Sequence, residues 1–132
     1  MLLPILAISV GASCGAVLRW LLGSALNQHW HVLPLGTLTA NLLGGFLVGV
    51  AVPWLAQHSH LAPEWRLLII TGFLGGLTTF STFSAEVIEM LLEQKYSHAA
   101  ATAALHLIGA LLLTGLGFML ARFFMPPTAG AG

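Results

Sequence analysis

Aspartate is absent from this chain and cysteine occurs once. Formal charge is nearly as scarce: four Lys/Arg and four Glu make up 6% of 132 residues, against roughly 25% in a soluble domain. So few charges cannot cover the surface of an ordinary soluble globule. Disorder is excluded too, because it requires low hydrophobicity and high charge. The net charge is zero and no basic patch exists to neutralise phosphates, which argues against a nucleic-acid partner. A single Cys14 forms no internal disulfide and leaves the redox compartment unread. What is abundant is apolar: 58% of residues are hydrophobic and mean hydropathy is +0.94. The composition is that of an integral membrane protein of one domain, residues 1–125.

Charge-free stretches define the crossings. A spanning helix needs about 20 apolar residues for a hydrocarbon core of about 30 Å. The sequence gives four such helices, at about 2–26, 35–56, 67–92 and 98–124, with 126–132 a flexible tail. The first is no cleavable signal peptide, since it lacks a basic n-region and exceeds an h-region of about 7–15 residues. Long apolar runs, not alternating segments of about ten residues, exclude a barrel. Trp20, Trp30, Trp54, Trp65 and Tyr96 lie near the predicted ends, where amphipathic rings favour the interface. Pro34 and Pro63 precede the second and third spans, a position proline suits.

Orientation is ambiguous. With four spans, Arg66 and Arg122 fall on one side and Arg19 and Lys95 on the other, so the positive-inside rule is balanced. Two readings stay open: an unresolved single topology, or insertion both ways with antiparallel pairing. Gly11/Gly15, Gly45/Gly49 and Gly72/Gly76 repeat at i, i+4 and allow close helix approach.

Polar residues at membrane depth are expensive and mark function or pairing. Thr37, Asn41 and Gly45 form one stripe of span 2; interhelical hydrogen bonding would also account for Asn41. In span 3, glycines run directly into Thr78, Thr79, Ser81, Thr82 and Ser84, a composition poor at holding a helix. A break is predicted near Gly75–Thr79. Non-helical backbone at this depth is tolerated where protein buries it or it lines a cavity, and transporters place ions at such breaks. Beyond it, Phe80 and Phe83 share a face; their positive ring edges suit an anion, though on spacing alone core packing is the better account. Thr102, His106, Ala110 and Thr114 recur every fourth residue of span 4 and, with Asn41 and Ser81, could form a polar track. Zinc at His106 is improbable without partner ligands. Glu86 lies about two turns inside the end of span 3, whereas Glu89 and Glu93 read as interfacial. The His29/His31 and His58/His60 pairs read as solvated loop residues.

No nucleophile–base–orienter constellation, Walker motif or dinucleotide fingerprint is visible, so no enzyme is indicated. The pattern supports movement of something small and polar across a bilayer.

The run Gly72-Phe-Leu-Gly-Gly-Leu-Thr-Thr-Phe-Ser-Thr-Phe83 resembles the signature of the Fluc/CrcB family of bacterial fluoride channels. Gly11-Ala-Ser-Cys-Gly-Ala-Val-Leu-Arg-Trp20 and Gly36-Thr-Leu-Thr-Ala-Asn-Leu-Leu-Gly-Gly-Phe46 are similar to that family's first- and second-helix patterns. The resemblance implies an all-α membrane protein of four helices with the third broken at mid-membrane. It implies a dual-topology antiparallel homodimer in the bacterial inner membrane, with two fluoride pores. It also implies a structural Na⁺ held by the backbone carbonyls of Gly75 and Thr78. The implied pore residues are Asn41, Phe80, Phe83, Ser81, Thr82, Ser84, Thr114, Thr37 and His106, with Arg19 and Glu86 in the vestibule. Where many relatives carry Tyr, His106 retains a hydrogen-bond donor whose protonation could tune pore charge. Two other readings remain: a small multidrug-resistance transporter, which depends on a span-1 Glu absent from Leu2–Leu26, and a structural subunit, which leaves the span-3 break unexplained.

Overall fold

The computed structural model describes residues 1–29 and 32–127. The expected interfacial Trp30, the His31 half of its pair and the tail from Thr128 onward lie outside the described residues. Among the described residues the regular structure is entirely helical: α1 (Leu2–Leu26), α2 (Leu35–Gln57), α3 (Pro63–Arg66), a π-helix (Leu67–Leu74), α4 (Gly75–Leu77), α5 (Phe80–Leu92) and α6 (Tyr96–Phe124). These make four helices long and apolar enough to cross a membrane, with the third running Pro63–Leu92. The protein is a multi-pass membrane protein. The third helix starts four residues before the expected Leu67, because Pro63 is preset for a first helical position.

Two glycine seams hold the bundle. On one, α1 packs against the first half of the third span; a Cβ on Gly76 would stand 2.5 Å from the Ala12 carbonyl oxygen, and one on Gly72 would stand 2.8 Å from that of Ile8. On the other, α2 packs against α6, and a Cβ on Gly49 would meet the Thr114 carbonyl. Backbones touch where side chains would keep them apart. In lipid this packing, not a hydrophobic force between helices, drives association. The central cluster is correspondingly small: Ala40, Leu74 and Leu77. The outside is apolar, with Leu107, Leu111 and Phe123 all more than half exposed.

The third span is interrupted. Thr78 (φ −84°, ψ 151°) and Thr79 (φ −149°, ψ 118°) are extended. The preceding π-helix Leu67–Leu74 was not expected from the sequence. Such widened turns are rare and concentrate at functional sites.

Candidate functional site

Every backbone polar group at membrane depth needs a partner, so the break must be repaired by something. Asn41 of α2 repairs it. Its Oδ1 accepts from Thr79 N–H at 2.7 Å, and its Nδ2 donates to the Thr79 carbonyl at 3.0 Å. The same Nδ2 lies 3.0 Å from Nδ1 of His106 on α6. One side chain thus ties three spans together.

Both half-helix ends are capped. Arg19 Nε donates to the Gly76 carbonyl at 3.0 Å, setting a cation at a helix C-terminus, where the dipole favours it. Thr79 Oγ1 accepts from Thr82 N–H at 3.2 Å, an ordinary N-cap for α5. These bonds leave a definite residue. In a continuous helix, Thr79 N–H would serve the Gly75 carbonyl and Thr82 N–H that of Thr78. Both donors are engaged elsewhere, so the Gly75 and Thr78 carbonyl oxygens lose their helical partners at the break, as does that of Leu77, which Ser81 N–H would serve. Gly75 is exposed and Thr78 half-buried. Neutral carbonyl oxygens are ligands that a hard cation accepts. Among the described residues no group of three or more His, Cys, Asp or Glu could hold a metal.

One turn before Asn41 on α2, Thr37 Oγ1 donates to Glu86 Oε1 at 2.5 Å. Glu86 lines two open cavities. One, of about 410 Å³, is bordered by Arg19, Asn27, Thr37, Thr79 and Thr82 and leads to the break. The other, of about 320 Å³, is bordered by Asn27, Glu89, Glu93 and Lys95 and leads toward the α5–α6 turn. The two expected vestibule residues therefore share a cavity that reaches the capping hydroxyls.

On α5, Phe80 and Phe83 meet edge to face, centroids 5.6 Å apart, and Phe83 lies against the His106 ring at 4.5 Å and 32°. Phe80 is 78% exposed on the single subunit.

The family model described as CrcB-like protein, Camphor Resistance (CrcB), matches residues 6–118. The chain belongs to the CrcB family. It is 58% identical over 117 residues to a fluoride-specific ion channel FluC of Tolumonas auensis, covering 89% of this chain and 92% of that one. It is 53% identical over 127 residues to proteins of the same name from Burkholderia pseudomallei and Burkholderia thailandensis, covering 96% of this chain and 99% of each.

Within this CrcB protein, the residues singled out from the sequence do not all converge. Asn41, His106 and Phe83 meet at the break, and Thr37, Glu86, Arg19 and Thr82 meet at the larger cavity. Ser81 is exposed, 3.3 Å from Thr79 Oγ1. Thr114 Oγ1 donates to the Gly45 carbonyl at 2.9 Å, in the α2–α6 seam, and Thr102 Oγ1 points to Met90 Sδ at 3.4 Å. The hydroxyls of span 4 are therefore engaged separately, and His106 is its member in contact with Asn41. Sequence reasoning passed over two contributors. Asn27 lines both cavities and accepts from Gly36 N–H at 2.7 Å, joining α1 to α2. Thr79, read only as a helix-poor residue, organises the break through side chain and backbone alike. An Asn closing a helix and a Thr three residues before Thr82 were the available signals.

Proposed function

We propose that this protein is a fluoride-selective passive channel that exports cytoplasmic fluoride across the bacterial inner membrane. The observation that carries the reading is the repair of the span-3 break by Asn41, in a chain whose relatives are named fluoride-specific ion channels. Fluoride is small and strongly hydrated. A pathway must replace its water with donors and positive ring edges, yet hold it weakly enough to let it leave. His106, the hydroxyls of Ser81, Thr82 and Ser84, and the edges of Phe80 and Phe83 are neutral groups of that kind, whereas Asn41, Thr37 and Thr114 join them in this reading by releasing donors now held by Thr79 and His106, by Glu86 and by Gly45. The cationic Arg19 would draw an anion into the cavity without standing in its narrowest part.

The functional unit in this reading is an antiparallel homodimer with two pores. Exposure of Phe80, Ser81 and Gly75 on a single subunit supports it, because a second copy would cover them. The balanced Lys/Arg distribution supports dual topology. Two subunits would also bring four released carbonyls, Gly75 and Thr78 from each, to hold a structural Na⁺ that ties the breaks together.

The test is fluoride efflux from liposomes holding the purified protein, beside a matched chloride assay. Rapid fluoride loss with an intact chloride gradient is expected. Folded protein that passes no fluoride would overturn the reading.

A further inference from the structure

An open cavity of about 490 Å³ lies at the end of the bundle where α2 and α6 finish, and it shares no bordering residue with the two cavities that Glu86 lines. Ligand sites commonly run from about 300 to 1,000 Å³. Gly49 and Gly117 bring α2 and α6 into backbone contact, and the cavity begins just beyond them, at Val52 and Phe118. Its wall is apolar, with Pro53 and Ala56 continuing the α2 side and Met125 the α6 side. The chain after α6 turns back over α2, where Gln57 Nε2 donates to the Pro126 carbonyl at 3.2 Å, and Met125 and Pro127 line that side. One charged side chain borders the cavity, Arg122 in the last turn of α6.

Depth decides the class of occupant. The last turn of a spanning helix is where hydrocarbon gives way to headgroups. Trp54, Phe123 and Phe124 are exposed at this same end, as interfacial rings are. An apolar wall at that level meets an acyl chain, and a guanidinium there meets a phosphate, whose oxygens match its fork of donors. Arg122 is exposed and takes no part in the one ion pair among the described residues, which joins Lys95 to Glu93.

Charge then chooses among lipids. No carboxylate borders this cavity, so the ammonium of a zwitterionic headgroup finds no partner in it. A second apolar cavity at the same end, of about 360 Å³ between α1 and the start of the third span, is bordered by Glu64 instead. A phosphate is repelled there. The same membrane surface thus meets two apolar clefts of comparable size, and the sign of one side chain in each separates them.

We propose that the α2–α6 cavity binds one anionic phospholipid, its phosphate on Arg122 and one acyl chain along Val52, Phe118 and Met125. The site stands apart from the proposed pathway and concerns the protein's hold on its membrane. In an antiparallel pair, each leaflet would hold one such lipid.

The test titrates purified full-length protein in detergent with phosphatidylglycerol or phosphatidylcholine and counts bound lipid by native mass spectrometry. Phosphatidylglycerol should bind the more tightly. Arg122→Gln should weaken it roughly tenfold or more, the scale of a hydrogen bond between charged partners, and leave phosphatidylcholine unchanged. Ala56→Phe fills the cavity from an exposed position and keeps the charge; it should weaken phosphatidylglycerol as well. Arg66→Gln removes an exposed cation at the same end that does not border the cavity, and should change nothing. Equal affinity for the two lipids, or equal losses in Arg66→Gln and Arg122→Gln, would reduce the effect to general surface attraction and overturn the proposal. Undiminished binding in Ala56→Phe would place the lipid elsewhere and overturn it too. No readout here involves ion flux, so the channel reading stands or falls separately.

Discussion

Asn41 and Thr79, 38 positions apart, exchange two hydrogen bonds of 2.7 and 3.0 Å, and through them an amide side chain stands in for the missing turn of a helix. The pairing uses both ends of the amide, so no isosteric replacement preserves it.

Asn41→Asp is the sharpest test of that pairing. The carboxylate still accepts from Thr79 N–H, but an oxygen now faces the Thr79 carbonyl and His106 Nδ1. Fluoride flux should fall below detection, because a fixed negative charge repels the anion and the donor is gone. Undiminished flux in the efflux assay would remove Asn41 from the pathway.

Arg19 predicts a stability effect. Arg19→Ala leaves the Gly76 carbonyl without its donor and the half-helix end without its cation, at a cost of about 1.5–3 kcal/mol for a hydrogen bond to a charged group. Thermal unfolding in detergent should show a lowered midpoint. Lysine, which lacks the planar fork, should restore it only in part. A midpoint unchanged in Arg19→Ala would mean that the bond contributes nothing at this site.

The two phenylalanines should separate by assay. Phe80 is 78% exposed on one subunit, so Phe80→Ile should leave the fold of the chain intact and slow fluoride conduction. Phe83 packs on His106, and Phe83→Ile should both slow conduction and lower thermal stability by roughly 1 kcal/mol. If Phe80→Ile conducts normally, Phe80 belongs to packing and not to the pathway.

The glycine seams allow a purely structural check. Gly76→Ala places a methyl 2.5 Å from the Ala12 carbonyl oxygen, and Gly115→Ala places one in open space. The first should destabilise by about 1–3 kcal/mol, the usual range for overpacking, and the second should be near neutral. Equal unfolding midpoints for the two variants would contradict the seam.

For sodium, the proposed ligands are backbone atoms and cannot be deleted singly. Replacing all sodium with a large organic cation should lower the thermal midpoint of the purified protein, and returning sodium should restore it. No change would argue against a bound ion at the released carbonyls.

By itself, the sequence determined the number of crossings and their places. Apolar runs of membrane length bounded by charge, proline and aromatic residues leave few alternatives, and span 1 falls at Leu2–Leu26 as read. The break was legible only in part: it was expected over Gly75–Thr79, and the extended residues are Thr78 and Thr79, while Gly75–Leu77 stay helical. Partners were not legible. Helical spacing placed Thr102, His106 and Thr114 on one stripe, but it could not say that His106 meets Asn41 while Thr114 turns to Gly45 and Thr102 to Met90. Nor could it say that Thr79 N–H would abandon Gly75 for Asn41. Those choices depend on which faces of four helices meet and at what height, and the glycine seams set that height by letting backbones touch. Periodicity reports a direction around one helix; the depth at which two helices register is decided only when they pack.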